Sequence, residues 1–202
     1  MKKTVFLFLT LLIFHGCTQK PDISQEYITK VMNGRAEKDS FMKDSPDSPF
    51  SRDTNAVFEP LKYYDFNKEL VFISKLFEYE TKEQVTVYGT KGEERKVLRF
   101  GYVLIDYRDK EYKVSVYKGT SRSGSEYFSI WFTDKTTGKE TYRVGRYLDF
   151  EYDNDKDHMY TIDFNLAYNP YCAYSAEYSC AIPLKEDYLD IAVNAGEKIF
   201  SH

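Results

Sequence analysis

The fold class is decided by the stretch Lys96-Val97-Leu98-Arg99-Phe100-Gly101-Tyr102-Val103-Leu104-Ile105-Asp106-Tyr107-Arg108-Asp109-Lys110-Glu111-Tyr112-Lys113-Val114-Ser115-Val116-Tyr117. Two apolar-rich segments, 96–107 and 112–117, flank a short polar connection. An alternation of apolar and polar residues with a period of two is typical of half-buried strands, and so short a connection joins strands that run antiparallel. The stretch therefore predicts a β-hairpin.

The same pattern recurs before and after this hairpin. The chain contains 19 Tyr and 15 Phe, and aromatic residues suit half-buried pleated surfaces. Because the connections are short and turn-like, we predict a mainly β domain, an antiparallel meander that forms a barrel or a sandwich. The further predicted strands are Val71–Glu78, Gln84–Tyr88, Tyr127–Phe132, Thr141–Glu151, His158–Leu166 and Leu189–Ala195.

One helix precedes the strands. Residues 22–43 place Tyr27, Val31 and other apolar side chains at intervals of three and four residues, which is typical of an amphipathic helix. The segment 45–50 contains two prolines, and these end the helix because they lack the amide donors that it requires. We predict a single N-terminal amphipathic helix.

The first residues of the chain are typical of an export signal. Lys2 and Lys3 precede the apolar run Val5–Phe14. This run has about half of the ~20 apolar residues that a helix needs to cross a bilayer, and its length suits the apolar region of a signal peptide. We therefore predict a signal peptide over residues 1–16.

The sequence Phe14-His15-Gly16-Cys17 resembles the lipobox of bacterial lipoproteins. The resemblance implies cleavage before Cys17 and attachment of a lipid to this cysteine, and an ordinary secreted protein cleaved nearby is the alternative. Residues 17–22 would then form a lipidated tether, and residues 23–202 a single β-rich domain. We expect an exported protein that is anchored by its lipid to the bacterial membrane, on the periplasmic or the cell-surface face.

Composition excludes several classes of function. With 28 Lys and Arg against 32 Asp and Glu, the net charge of −4 predicts no basic face for nucleic acid, so we expect no nucleic-acid partner. Outside the predicted signal peptide the histidines are His158 and His202, which argues against a metal centre built from histidines and against a histidine-dependent triad. Neither a phosphate-binding glycine motif nor a GxSxG motif occurs. We therefore expect no metal and no cofactor.

Cys172 and Cys180 remain as an even pair if Cys17 carries the lipid. In an oxidising compartment such a pair favours a disulfide. The alternatives are two buried thiols, a metal site or a catalytic nucleophile. Two thiols without nearby histidines make a poor zinc site, because zinc takes four ligands, so we predict a disulfide.

The segment 163–180 is poor in charge. It contains two charged residues in eighteen, whereas charged residues make up 30% of the chain. A long loop of this kind is expected to be buried or to line a cleft. Its tyrosines, among them Tyr168 and Tyr174, would then offer apolar rings and hydroxyl groups to a ligand. The alternative is a covering segment that the disulfide holds in place.

Arg146 lies among apolar residues on one face of the predicted strand Thr141–Glu151. A buried charge without a partner is costly, so this arginine needs an acid nearby. If the next turn centres on residues 154–155, Asp163 lies directly across from Arg146. The two residues form either a structural ion pair or part of an anion or carboxylate site, with Asn165 or Asn169 nearby.

A second polar cluster lies on the predicted helix. Arg35 and Asp39 are four residues apart, with Lys38 beside them. A solvated salt bridge is the simplest interpretation, since exposed pairs at this spacing are common and weak. If this helix face covers the mouth of the barrel, Arg35 and Lys38 belong to the polar site instead.

Several ordered motifs are spread along the chain. They are Arg35-x-x-Lys38-Asp39, Ser48-Pro49-Phe50, Thr137-Gly138-x-x-Thr141-Tyr142-x-x-Gly145-Arg146-Tyr147-Leu148, Asp163-Phe164-Asn165-x-Ala167-Tyr168-Asn169-Pro170-x-Cys172-Ala173-Tyr174-Ser175, Cys180 and Ala195-Gly196-Glu197. In this order, from about residue 30 to residue 198, the chain resembles the bacterial and archaeal domain-of-unknown-function family 1684. The family has no activity attached to its name, so the resemblance implies no reaction.

Two hypotheses for the function follow. In the first, the β-rich domain binds a small ligand or an envelope partner in a tyrosine-lined cleft around Arg146. In the second, the protein is a histidine-free enzyme, a hydrolase or a transferase, that uses Cys172 or the Asp163–Arg146 pair. We favour binding, because the chain offers no general base beyond its carboxylates. A purely structural role is the third alternative. The expected ligand-binding residues are Arg35, Lys38, Arg146, Asp163, Asn165, Tyr168, Asn169 and Tyr174.

Overall fold

The computed structural model describes residues 21–121 and 123–200. The predicted signal peptide over residues 1–16 and the predicted lipid attachment at Cys17 lie outside the described residues. Within the described ranges, none of the helices combines the length and the apolar character needed to cross a lipid bilayer.

The predicted N-terminal helix is confirmed. Helix α1 spans Gln25–Asp44, and Ser24 caps its start by accepting a hydrogen bond from the amide of Tyr27 at 3.1 Å. A short helix α2, Pro49–Arg52, follows and is capped by Ser48. Proline suits the first position of a helix, where the amide has no partner within the helix.

Within the described residues, the strands that follow form two sheets. They are β1 (Val71–Lys75), β2 (Phe77–Tyr88), β3 (Glu94–Tyr107), β4 (Lys110–Thr120), β5 (Glu126–Asp134), β6 (Arg146–Asp149), β7 (Met159–Asp163) and β8 (Tyr188–Leu189). The larger sheet has the antiparallel order β2-β3-β4-β5-β6, with the short β8 parallel to β5, and the smaller sheet pairs β1 with β7. The domain is therefore mainly β with antiparallel sheets, and the described strands do not close into a barrel.

The predicted central hairpin is confirmed. Strands β3 and β4 pair antiparallel up to Tyr107 opposite Lys110. Between them, Arg108 and Asp109 have φ angles of 51° and 59°. A two-residue turn with positive φ at both positions matches the right-handed twist of the strands that it joins.

The main hydrophobic core lies between the two sheets. Phe164, which follows β7, makes edge-to-face contacts with Phe72 of β1 and Phe132 of β5, at centroid distances of 6.0 and 5.2 Å. The hydroxyl of Ser74 on β1 accepts a hydrogen bond of 3.0 Å from the amide of Leu104 on β3. These contacts hold the small sheet against the large one. Other buried members of the core are Val103, Ile105, Val116, Ile130, Leu148 and Ile162.

Three of the predicted strands are shorter in the structure. Thr141–Glu151 is reduced to β6, His158–Leu166 to β7, and Leu189–Ala195 contributes its first residue to β8. Ile191 and Val193 are nevertheless buried. Their alternation therefore reflects burial of alternate side chains without a ladder of backbone hydrogen bonds, a distinction that periodicity does not make.

The expected hairpin between β6 and β7 is wrong. Strand β6 pairs with β5, where Arg146 lies opposite Phe132, and β7 pairs with β1, where Asp163 lies opposite Val71. The connection between β6 and β7 thus carries the chain from one sheet to the other. The prediction took strands adjacent in sequence as pairing partners, and for this reason it placed Asp163 across from Arg146.

Candidate functional site

Three neighbouring cavities share Tyr168 as a lining residue. We name them the helix cleft, of about 520 Å³, the sheet cleft, of about 680 Å³, and the Arg35 cavity, of about 360 Å³. The helix cleft is also lined by Lys38, Phe41, Tyr147, Asp149, Tyr171, Tyr178 and Cys180. The sheet cleft is also lined by Arg95, Tyr127, Trp131, Tyr147, Asp149 and Cys180, and the Arg35 cavity by Tyr27, Lys30, Arg35, Lys38, Tyr63 and Asn165.

Tyr168 is held in place by β6 at both its backbone and its side chain. The backbones of Tyr168 and Tyr147 exchange two hydrogen bonds, each of 2.9 Å. The hydroxyl of Tyr168 donates to a carboxylate oxygen of Asp149 at 2.6 Å, and burial, followed by the charge of Asp149, raises the pKa of Tyr168. The phenol therefore stays protonated and directs its hydrogen toward the carboxylate.

An aromatic row continues from Tyr168 into the large sheet. The rings of Tyr117, Trp131, Tyr147 and Tyr168 follow one another at centroid distances of 4.8, 5.7 and 6.1 Å. Buried aromatic pairs at these separations contribute beyond the apolar area that they bury. The row gives the sheet cleft a rigid aromatic wall.

Lys38 forms the cationic side of the helix cleft. Its ammonium nitrogen lies 4.8 Å from the ring centroid of Tyr168 and 3.0 Å from Oε2 of Glu197. The Glu197 carboxylate is buried and also accepts hydrogen bonds from the amide of Asn169 at 2.7 Å and from the hydroxyl of Tyr174 at 2.5 Å. Because this acceptor is fixed on several sides, the position of the lysine head group is fixed as well.

The segment after Tyr168 forms the opposite wall of the helix cleft. Tyr171 and Tyr178 meet edge to face at 5.1 Å, and the buried hydroxyl of Ser175 donates to Asp53 at 2.8 Å. The hydroxyl of Tyr147 donates to the carbonyl of Ala181. The charge-poor segment 163–180 thus both covers the sheet and lines a cleft.

Cys172 and Cys180 are both free thiols in the structure, so the predicted disulfide is not formed there. The amide of Cys172 lies 3.3 Å from the sulfur of Cys180, and the hydroxyl of Tyr142 lies 3.7 Å from the sulfur of Cys172. A hydrogen bond from the Cys180 thiol lowers the pKa of Cys172 to about 7, and the same contact raises the pKa of Cys180. The backbone of Cys172 is therefore in direct contact with the side chain of Cys180.

Arg146 does not line any of the three cavities. It is fully buried and forms an ion pair with Asp134 at 2.9 Å, which corrects the expected pairing with Asp163. Its remaining hydrogen bonds go to the carbonyls of Val193, Ala195 and Glu197. Burial is the main cause that lowers the pKa of this guanidinium. Arg146 thus fastens the segment 193–197 to the large sheet instead of facing a ligand.

Asp163 and Asn165 join helix α1 to the end of β7. The carboxylate of Asp163 accepts a hydrogen bond from the Tyr27 hydroxyl at 2.8 Å and one from the amide of Asn165 at 2.8 Å. The carbonyl of Asn165 accepts a hydrogen bond from Arg35 at 3.1 Å. Burial raises the pKa of Asp163. These contacts orient the helix over the Arg35 cavity.

The structure brings together part of the predicted site. Arg35, Lys38, Asn165 and Tyr168 line the Arg35 cavity. The other predicted residues, Arg146, Asp163, Asn169 and Tyr174, are buried and line none of the three cavities. Of the predicted residues in the Arg35 cavity, Lys38 and Tyr168 also line the helix cleft.

Sequence reasoning missed several lining or supporting residues: Tyr147, Asp149, Tyr171, Tyr178 and Glu197. Tyr147 and Glu197 lie within the family motifs, which gave them no role, whereas Tyr171 and Tyr178 belong to the charge-poor segment whose tyrosines were expected to line a cleft but were not singled out individually. No sequence signal marked Asp149, because its hydrogen-bond partner Tyr168 is 19 residues away.

The arrangement suits noncovalent binding. It combines ring faces with an ammonium group that donates hydrogen bonds and a carboxylate that accepts them. Among the described residues, no group of three or more His, Cys, Asp and Glu side chains is arranged to hold a metal ion.

Fold and cavities together define a class: a mainly β domain whose N-terminal helix lies beside aromatic-lined cavities. A family model described as "Protein of unknown function (DUF1684)" matches residues 56–198, and the chain belongs to this family, which confirms the resemblance. The structure is also similar to the solution NMR structure of an uncharacterized protein of Haloarcula marismortui, with a TM-score of 0.62 and 30% sequence identity, over 86% of this chain and 95% of that one. No curated protein matches the chain.

Proposed function

We propose that this protein is an exported, lipid-anchored envelope protein whose β-rich domain binds a small ligand in the cavities that meet at Tyr168. One observation carries the binding proposal. Tyr168 lines all three cavities, with the Lys38 ammonium 4.8 Å from the centroid of its ring and the Asp149 carboxylate at its hydroxyl. Ring faces with a few fixed polar groups are typical of small-molecule sites.

The chemistry of the lining indicates the class of ligand. Tyr147, Tyr168, Tyr171 and Tyr178 offer apolar faces to the helix cleft, and such faces pack against the flat, apolar face of a ring. Asp149 accepts hydrogen bonds and Lys38 donates them. The ligand that fits best is a small ring compound with several hydroxyl groups, and sugars of the cell envelope belong to this class.

A thermal-shift screen tests the binding proposal. The melting temperature of the protein is measured with and without monosaccharides, disaccharides, phenols and aromatic amines. A true ligand at a hundredfold excess over its Kd stabilises by about 2.7 kcal/mol, which raises the melting temperature by about 5–10 °C for a domain of this size.

Two variants make the screen specific. Tyr171→Ala removes a ring from the helix cleft, whereas Tyr188→Ala removes an exposed ring on β8. We expect a true ligand to stabilise the wild type and Tyr188→Ala alike and to have a much smaller effect on Tyr171→Ala. Equal stabilisation of all three proteins, or no stabilising compound in the set, contradicts the proposal.

The export and anchoring part of the proposal rests on residues 1–17 of the sequence. Mass spectrometry of the mature protein from a bacterial membrane fraction tests it. We expect an acylated N-terminal cysteine at position 17 and its loss in Cys17→Ser. An unmodified mass for the wild type would overturn the anchor and leave the binding proposal standing.

A further inference from the structure

The thiol pair formed by Cys172 and Cys180 lies at the edge of the cavities, where Cys180 lines both the helix cleft and the sheet cleft. Both thiols are free and partly exposed. The amide of Cys172 is 3.3 Å from the Cys180 sulfur. A pair of free thiols beside an open cleft can react with a small disulfide that enters the cleft.

We propose that Cys172 and Cys180 form a redox-active pair that exchanges with low-molecular-mass disulfides, with Cys172 as the attacking thiol and Cys180 as the resolving thiol. This activity goes beyond ligand binding and is independent of it.

The surroundings of the two sulfurs assign their roles. The Tyr142 hydroxyl lies 3.7 Å from the Cys172 sulfur, and the Cys180 thiol donates a hydrogen bond to the same atom, which favours the Cys172 thiolate. Cys180 is the less acidic thiol because of its contact with Cys172 and because its partial burial disfavours the charged form, and both effects raise the pKa of Cys180. An attacking thiol needs a substantial thiolate fraction at ambient pH, whereas a resolving thiol loses its proton later in the reaction.

Other polar groups that face the pair are Tyr147, Tyr168, Arg95 and Thr90. Among these, Arg95 favours the thiolate form of Cys180, but it is outweighed by the proximity of Cys172. The Thr90 hydroxyl accepts a hydrogen bond from the amide of Cys180 at 3.2 Å, and it also favours the thiolate form of Cys172.

The reaction is balanced with oxidised glutathione as the oxidant. The Cys172 thiolate attacks one sulfur of glutathione disulfide, so that a mixed disulfide forms and one glutathione thiolate leaves. The Cys180 thiol then gives up its proton and attacks the Cys172 sulfur, and the second glutathione leaves. The protein loses two protons and two electrons, which the two departing glutathione thiolates take up, so that one glutathione disulfide becomes two glutathione thiols.

The test uses the full chain with Cys17→Ser, so that Cys172 and Cys180 are its cysteines. The reduced protein is treated with oxidised glutathione, and products are identified by mass spectrometry and thiol counting. We expect both free thiols to be lost together and no glutathione to remain attached to the protein. A further Cys180→Ser substitution should trap one glutathione on Cys172, and Cys172→Ser should react at least about ten times more slowly.

A second measurement does not depend on the folding of a cysteine variant. Peptide mapping after limiting iodoacetamide shows which cysteine of the reduced protein reacts first. We expect label on Cys172, with a rate that reaches half its maximum near the pKa of about 7.

Three results would overturn the proposal: faster labelling of Cys180, thiols that persist under excess oxidised glutathione, or a disulfide that reduced glutathione cannot reopen. The last result would identify a structural disulfide. None of them bears on whether a ligand binds at Tyr168, so the two proposals fail separately.

Discussion

The ammonium of Lys38 lies 3.0 Å from the buried carboxylate of Glu197, 159 residues further along the chain. The side chain of Glu197 is 1% exposed and that of Lys38 is 26% exposed. The same carboxylate accepts hydrogen bonds from Asn169 and Tyr174. It therefore joins helix α1, the charge-poor segment and the segment 193–197, and it fixes the cation that borders two of the cavities.

Glu197→Gln should destabilise the protein by about 2–3 kcal/mol, since hydrogen bonds to a charged acceptor are replaced by weaker ones and one amide group is left with a poor partner. Urea unfolding measures the change in the free energy of unfolding. The exposed Glu37 on helix α1 offers the matched control Glu37→Gln. Equal stabilities of the two variants would contradict the structural role of the Glu197 charge.

Arg146→Met should cost about 3–5 kcal/mol, because it leaves the buried Asp134 carboxylate without its cation and removes the bonds that hold the segment 193–197. The melting temperature should fall by roughly 6–20 °C for a domain of this size. Arg143→Met, at an exposed position nearby, is the control and should change little. A melting temperature for Arg146→Met close to that of the control would show that the ion pair with Asp134 is unimportant.

Gly145→Ala should be more damaging than Gly138→Ala, although both glycines have positive φ angles, 115° and 77°. An added Cβ at Gly145 would lie 2.6 Å from the carbonyl oxygen of Phe132, whereas at Gly138 it meets no atom within 4 Å. The Gly138 variant should lose about 1–2 kcal/mol from backbone conformation alone. In urea unfolding, Gly145→Ala should lose more of the free energy of unfolding than Gly138→Ala does. A smaller loss would contradict the close packing around Gly145, just before β6.

Asp163 should make stability depend on pH in a defined direction. Burial raises its pKa above the ordinary value of 3.8, so the folded state binds a proton more readily than the unfolded state does. Its stabilising contribution is fully present below 3.8 and is lost as pH rises through the raised pKa.

The advantage of the wild type over Asp163→Asn should therefore be larger in acid than near neutral pH. Urea unfolding of both proteins at the two pH values measures it, and Asp44→Asn, at an exposed position at the end of helix α1, controls for the loss of one acidic side chain. If the stability difference between the wild type and Asp163→Asn grows as the pH rises, burial is not the main influence on the pKa of Asp163.

Local patterns carried much of the prediction of the fold. Helix α1 and the β3–β4 hairpin were predicted from the spacing of apolar residues and from a short polar connection, and both are confirmed. The low charge of segment 163–180 correctly indicated burial beside a cleft. In each case the signal and the structure lie within the same short stretch of chain.

The prediction failed where a residue depends on a partner that the sequence does not specify. The apolar face around Arg146 required an acid as partner. Asp163 lies in the smaller sheet, so the partner of Arg146 is Asp134 in the larger sheet. The cavities likewise combine helix α1, the end of β6 and the segment after Tyr168.

The sequence by itself determined the mainly β class, the N-terminal helix and the family, and it singled out Lys38 and Tyr168, which line the helix cleft. Only the tertiary structure decided that Arg146 holds the segment 193–197 against the large sheet. It also decided that the candidate site is centred on Tyr168, Lys38 and Asp149. The physical reason is that periodicity reports whether a side chain is buried, whereas its partner depends on which strands pair. That pairing is set by the packing of the whole core.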